Sequence, residues 1–273
     1  MGSYDKSNAL FERALKVIPG GIPGHQSPVL LVFGACPCFI DRAEGSRFWD
    51  VDGNEYIDYM CAYGPMVLGY NHPKVERAAR AQLEKTDTGN LPTERYVELA
   101  EKLVNTIPIA DWAIFGKNGS DVTTYATRVA RYQTERKKIV TVEGTYHGIG
   151  SWCTPIDNGI TSAEREDILT FPYNDLDALK KLVEVNKSDI AGIIVTPFRH
   201  EAFHDSEMPA PGFLEGIRTI CDEIGAVFIV DDVRAGFRMH MGGSLERFGV
   251  RPDLICFSKA LGNGHPIAAC VGK

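Results

Sequence analysis

Four short polar stretches in this sequence each follow an apolar run, and each is of a type that could do chemistry. Gly116-Lys117-Asn118-Gly119-Ser120-Asp121 follows Ile114-Phe115 and opens a helical pattern carrying Val122, Ala126, Val129 and Ala130. Glycine admits a close backbone approach, Ser120 adds a hydroxyl and a helix N-terminus favours negative charge, so this stretch could cradle a phosphate. Asn118 or Ser120 could equally be an ordinary helix cap. Asp231 and Asp232 end the run Val227-Phe228-Ile229-Val230. A carboxylate at a buried strand end needs a cation or strong donors, which a protonated ring nitrogen would supply, as would Arg234 or Arg238. Lys259 follows Leu254-Ile255-Cys256-Phe257-Ser258. Desolvation there would lower its pKa and leave a neutral amine able to form a Schiff base, whereas a solvated strand end would leave an ordinary lysine. Tyr146-His147-Gly148 follows the run 138–142 and Glu143-Gly144-Thr145. Its aromatic face could stack on a flat heteroaromatic ring with His147 beside it for hydrogen bonding, or Tyr146 could simply pack.

A phosphate cradle, a stacking ring, a carboxylate for a ring nitrogen and a lysine for an aldehyde together make the recognition set for pyridoxal phosphate. They can converge only if the runs before them are neighbouring strands, because ligands of open α/β sheets bind at the carboxyl ends of strands. The patterning predicts helices near 74–85, 93–106, 121–134 and 212–223 and strands at 112–115, 138–142, 190–195, 226–231 and 254–257. The last three strands are nearly continuous apolar runs, which indicates a mostly parallel sheet covered by helices on both faces. Before it, residues 1–70 form an N-terminal segment, with a helix near 7–17 and a β hairpin of 47–51 and 55–59 joined through Asp52-Gly53-Asn54. Residues 71–273 form the large domain.

Composition sets outer bounds. Hydrophobic residues make up 44% and charged residues 24% of the 273, as in globular chains and unlike disordered ones. A net charge of −7 gives no electrostatic footing for nucleic acid or anionic lipid. The seven cysteines sit mostly in apolar stretches and read as reduced packing residues of a cytoplasmic protein. No apolar run reaches the roughly 18 residues of a membrane span, and the N-terminus lacks a signal-peptide core.

Two metal readings compete. His200-Glu201-Ala202-Phe203-His204 matches HExxH, which on a helix would present both histidines to zinc with Glu201 as base. Pro197 and Pro209 bracket it closely, and Glu207 and Ala210 stand where a metzincin extension needs Gly and a third His. Cys36 and Cys38 form a CxC without a second pair at zinc-finger spacing. The reading adopted has no metal. A chain that binds pyridoxal phosphate without turnover is the non-enzymatic alternative.

Gly45-Ser46-Arg47-Phe48-Trp49-Asp50-Val51-Asp52-Gly53-Asn54, Tyr63-Gly64-Pro65-Met66-Val67-Leu68-Gly69-Tyr70-Asn71-His72-Pro73, Tyr146-His147-Gly148, Asp231-Asp232-Val233 with Gly236-Phe237-Arg238, and Ser258-Lys259-Ala260-Leu261-Gly262 resemble the class III aminotransferases. The resemblance runs from about residue 7 to the end, and Gly64-Pro65-Met66 is most similar to glutamate-1-semialdehyde aminomutase-like members. It implies a three-layer α/β/α sandwich with a seven-stranded, mostly parallel sheet, the major domain of fold-type I pyridoxal phosphate enzymes, followed in relatives by a C-terminal small domain. It implies that Lys259 forms the Schiff base and carries the proton, Asp231 pairs with the ring nitrogen and Tyr146 stacks on the ring. Asn118, Gly119, Ser120 and His147 complete the cofactor site. The activity implied is amino transfer between a small-molecule amino donor and a keto or aldehyde acceptor, with aminomutation and racemisation as neighbouring chemistries. A homodimer with shared active sites is also implied.

The chain departs from the family pattern at several positions. Leu30 follows Ser27-Pro28-Val29 where the aminomutase has a carboxylate-binding arginine. Thr196-Pro197 stands for the usual Glu-Pro, and Asp232 and Asp121 for usual glutamates. The contact to the cofactor hydroxyl falls within Arg199-His200-Glu201, where Arg199 and Glu201 are the candidate substrate residues, Arg199 for a carboxylate.

Overall fold

In the computed structural model the described residues are 3–22, 39–200 and 205–273, and the chain divides into two units, 1–89 and 90–273. Ser27 to Leu30, Cys36, Cys38, Glu201 and His204 lie outside the described residues.

The first unit holds α1 (Asp5–Leu15), a three-stranded antiparallel sheet of β1 (Ile40–Glu44), β2 (Arg47–Asp50) and β3 (Glu55–Ile57), and α2 (Pro73–Leu83). The expected hairpin is β2–β3, with Arg47 opposite Ile57 and Gly53 at φ 91° in the turn. Buried Asp50 organises that turn by accepting from Asn54 N (2.8 Å), Asp52 N (3.0 Å) and the Tyr56 hydroxyl (3.0 Å). Asp52 in turn accepts the N–H groups of Lys6 and Ser7, tying the start of α1 to the hairpin. Beyond β3, Cys61, Ala62 and Tyr63 are three successive non-glycine residues at φ 50°, 51° and 63°. Left-handed backbone in such residues is unfavourable and persists only where neighbours impose it. Here the Asp58 carboxylate accepts from Met60 N (2.8 Å), Ala62 N (3.2 Å) and the Tyr70 hydroxyl (2.8 Å).

The second unit contains α3 (Glu94–Thr106), β4 (Trp112–Gly116), α4 (Gly119–Thr134), β5 (Lys138–Val142), α5 (Ser162–Arg165), β6 (Ile168–Phe171), α6 (Leu176–Asn186), β7 (Ile190–Val195), α7 (Phe213–Ile224), β8 (Val227–Asp231), β9 (Leu254–Phe257) and β10 (Ala268–Gly272). Its seven-stranded sheet has the order β4-β10-β9-β8-β7-β5-β6. Only β10 is antiparallel to its neighbours, β4 and β9. Alternation along the strands feeds two faces. Ile229 and Cys256 pack with Val122, Ala126 and Ala130 of α4 on one side. On the other, Phe228 and Val230 pack with Leu179 of α6 and Leu214 and Ile217 of α7, and Ile255 and Phe257 with Leu103 of α3. This is the expected three-layer α/β/α arrangement. α5, β6, α6 and β10, and β1 in the first unit, are additions to the elements read from patterning.

One consequence sets up the site. Because β10 reverses direction between them, β4 runs parallel to β9, so β4, β5, β7, β8 and β9 all end on the same edge of the sheet. Removing the side chain that joins α4 to the sheet tests this packing. Ile229→Ala, at a position with no exposure, is expected to cost about 2–5 kcal/mol in urea unfolding, the range for large-to-small changes in a packed core.

Candidate active site

At the end of β4 the turn into α4 is fixed by a reciprocal cap. Asp121 N donates to the Asn118 side chain (3.1 Å), while Asp121 Oδ2 accepts from Lys117 N (2.8 Å) and Asn118 N (3.1 Å). The first N–H groups of a helix have no intrahelical partner, and this cap takes up the one at 121. Those of Gly119 and Ser120 remain, with the Ser120 hydroxyl, at the positive end of the helix dipole. The cap and the cradle are therefore compatible uses of one turn.

Tyr146-His147-Gly148, after β5, is pressed against that helix start. Thr123 Oγ1 donates to the His147 carbonyl (2.7 Å) and Ile149 N donates to Ser120 Oγ (3.2 Å). Gly148 lies at φ 136°, and a Cβ there would meet Ser120 Oγ at 2.5 Å. Gly119 is similarly close to the turn after β8, where an added Cβ would lie 3.0 Å from Val233. Tyr146 is half exposed, and burial of the rest raises its pKa above the ordinary phenol value, with Cys153 and Asp231 adding to the shift.

Asp231, 5% exposed at the end of β8, has both oxygens occupied. Its Oδ1 accepts from Val233 N (3.1 Å) and its Oδ2 lies 2.7 Å from His147 Nδ1. The other imidazole nitrogen, Nε2, lies 2.9 Å from Thr141 Oγ1 on β5, and Trp152 stacks nearly parallel on the ring at 6.2 Å. Both ring nitrogens of His147 are thus engaged by protein groups. The arginines considered as partners for Asp231 are turned elsewhere: Arg234 Nη1 donates to the His200 carbonyl (2.9 Å) and Arg238 Nη1 to the Arg234 carbonyl (2.9 Å).

Lys259 stands two residues after β9, at φ 43° and half buried. Desolvation lowers the pKa of its amine. Asp231 opposes that shift, and Arg234 and Arg238 reinforce it. Lys259 is therefore not a fully solvated strand end but an amine biased toward its neutral form, within the field of the buried carboxylate.

Arg199 pairs with Glu207 through both backbone groups, and its Nη1 lies 3.7 Å from Glu207 Oε2. Glu201 lies outside the described residues. His200 Nδ1 is 3.3 Å from Arg234 Nη1, and burial followed by that guanidinium pushes its pKa down to about 4. Among the described residues no group of three or more His, Cys, Asp or Glu could hold a metal ion.

Three contacts escaped sequence reasoning. Asp232, fully buried, accepts from Ser244 N (2.8 Å) and Ser244 Oγ, twelve residues away, with no local signal. The Arg234–His200 contact joins two loops and is equally silent. Thr141 had a signal: a lone hydroxyl in the buried run Lys138–Val142 requires a partner.

Comparison with known proteins follows this geometry. The family model described as aminotransferase class-III matches residues 33–273. The aminopentol aminotransferase of Sphingopyxis macrogoltabida is 45% identical over 273 residues, which is 100% of this chain and 64% of that protein. The glutamate-1-semialdehyde 2,1-aminomutase of Desulforamulus reducens is 40% identical over 285 residues, with 99% and 65% covered. The solved FumI protein of Sphingopyxis sp. MTA144, in its PLP internal aldimine form, superposes with a TM-score of 0.96 at 45% identity over 98% of this chain and 65% of that one. The chain thus spans just under two thirds of the length of these relatives. Among the described residues no helix is long and apolar enough to cross a membrane.

Two outcomes are expected. Gly148→Ala forces Ser120 from its place and should weaken pyridoxal phosphate binding, read by fluorescence titration, with little change in far-UV dichroism. Asp232 titrates with its pKa pushed from 3.8 up to about 6 by burial, so folding is favoured by its proton below about pH 4, and that contribution is lost as pH rises to about 6. The difference in Tm between Asp232→Asn and the parent should therefore shift in the variant's favour across this window and level off above it. A constant difference would contradict the assignment.

Proposed function

The chain belongs to the class III aminotransferases, and on that premise we propose that it acts as a pyridoxal phosphate-dependent aminotransferase, moving an amino group between a small-molecule amino donor and a keto or aldehyde acceptor. The observation that carries this reading is the half-buried Lys259 amine, lowered in pKa and within the field of buried Asp231.

The residues present fit the cofactor. Gly119 and Ser120 offer N–H groups and a hydroxyl at a helix N-terminus, in a cradle that a Cβ at Gly148 would fill. Asp231, at 5% exposure, would hold a ring nitrogen in its protonated form, and Tyr146 would cover the ring. Pyridoxal phosphate supplies an aldehyde for an amine and an electron-withdrawing ring that accepts the electrons released at the substrate's Cα.

This chain's own groups do the rest. Lys259 Nζ, biased toward neutrality, would be the amine that holds the cofactor's aldehyde, and the same nitrogen would accept the proton released at the substrate's Cα. His147 acts through Asp231. Its ring, closed on the other side by Thr141, holds the carboxylate in one orientation. Trp152, stacked nearly parallel on the His147 ring, covers one face of it.

The higher identity to an aminotransferase, 45% against 40% for the aminomutase, favours intermolecular transfer. A homodimer is proposed from the first unit, where Tyr59 (91% exposed), Met60, Tyr63, Val67 and Leu68 present apolar side chains over a short segment. The free thiols of Cys61, Cys153, Cys221, Cys256 and Cys270 suit the reducing cytoplasm.

Borohydride reduction followed by peptide mapping tests the site. The cofactor should be fixed on Lys259 and on no other lysine. Lys259→Ala should still bind cofactor noncovalently and lose turnover by about three or more orders of magnitude, since it loses both covalent anchor and proton carrier. Attachment elsewhere, or none, would overturn the assignment.

A further inference from the structure

Arg199 and Arg234 both stand at the sheet edge that carries Lys259, following β7 and β8, and their charges are disposed differently. Arg199 has an internal counter-charge in Glu207, with its backbone fixed to the same residue. Arg234 is exposed, and among the described residues no carboxylate pairs with it. Its guanidinium is nevertheless held in place. Nη1 donates to the His200 carbonyl at 2.9 Å, and the turn beneath it is fastened by Arg238 Nη1 on the Arg234 carbonyl at 2.9 Å. Only Nη1 is used in these contacts, which leaves the Nε and Nη2 donors, the edge of the fork that matches a carboxylate with two parallel hydrogen bonds.

His200 strengthens the case for an incoming anion. Its ring is uncharged at neutral pH, with a pKa of about 4, so Nδ1 can accept from the guanidinium and orient it without competing for the ligand. The charge of Arg234 also reaches Lys259, where it acts in the same sense as desolvation. An exposed, anchored cation within the field of the reacting amine is placed to receive the charged end of a molecule whose amino or keto carbon lies at that amine.

We infer that Arg234, rather than Arg199, is the specificity-determining residue that binds the carboxylate of the amino donor or keto acceptor. That this carboxylate belongs to a substrate rests on the aminotransferase reading above; the binding of a carboxylate does not.

Calorimetric titration with succinate, a carboxylate that cannot react, separates the two. It is carried out on the chain with and without cofactor, for the parent, Arg234→Ala, Arg234→Lys and Arg199→Ala. Arg234→Ala should raise the Kd about tenfold or more, Arg234→Lys less, and Arg199→Ala by under about threefold, as expected for loss of one charge-assisted bidentate contact. In turnover, Arg234→Ala should raise KM for alanine and leave KM for 2-aminobutane, which lacks the carboxylate, unchanged. An unaltered Kd in Arg234→Ala, a larger loss in Arg199→Ala, no binding of succinate to the parent, or equal effects on both amines would each overturn the inference. Failure of the aminotransferase reading shows itself elsewhere, as the absence of a reduced cofactor adduct on Lys259.

Discussion

The Asp231 carboxylate, nearly shut off from water, is the constraint from which the rest of the site follows. Leaving such a group unpaired costs several kcal/mol, a large part of the about 5–15 kcal/mol by which a domain is stable. The structure meets that cost with Val233 N on one oxygen and His147 on the other. Burying His147 creates a second obligation at Nε2, met by Thr141 within β5. That places the Tyr146–Gly148 turn between the ends of β5 and β8, close enough to α4 that only a glycine fits at 148 beside Ser120. The carboxylate, the aromatic ring and the turn at the start of α4 are thus linked by successive needs to satisfy buried polar groups.

Charge around Lys259 is set by opposition. Burial and two guanidinium groups favour the neutral amine, while Asp231 favours the ammonium form. Asp232, next to Asp231, has its pKa raised to about 6 by its own burial and by that neighbour, against Ser244, which stabilises the ionised form. Its role is mechanical: it fastens the loop ahead of Ser244–Phe248, which carries Arg234 and Arg238, to the end of β8. The loop whose guanidinium groups act on the amine is thus held by the residue next to Asp231.

Much of this was legible in the sequence. The apolar runs 190–195 and 254–257 are strands with those bounds, and 138–142 likewise, because β-branched and apolar residues buried on both faces leave no other periodicity. β10, Ala-Ala-Cys-Val-Gly, was silent: its small residues carry little strand preference, and only tertiary pairing with β4 and β9 defines it. α6 carried a signal that was passed over: Leu176, Leu179 and Val183 stand at helical spacing, and Leu179 and Val183 are buried. The types of the site residues were readable because each follows a strand. Which hydrogen bond each makes was not: the expected alternatives for Asp231 were arginines three and seven positions away, whereas the observed partner is His147, brought in from another strand.

The departures from the family pattern bear on one another. Thr196 ends β7 beside β8, where its buried hydroxyl donates to the Phe198 carbonyl at 2.9 Å. A glutamate at this position would bring another carboxylate to an edge that already holds Asp231 and Asp232, and it would demand a cation of its own. With threonine there the demand disappears, and Arg199 finds its counter-charge in Glu207. The guanidinium at 234, held through Nη1 by His200, then stands beside Lys259, and among the described residues no carboxylate pairs with it. Neutral Thr196 in place of a glutamate and exposed Arg234 act in the same direction: both leave this edge of the sheet less negative than the family pattern would.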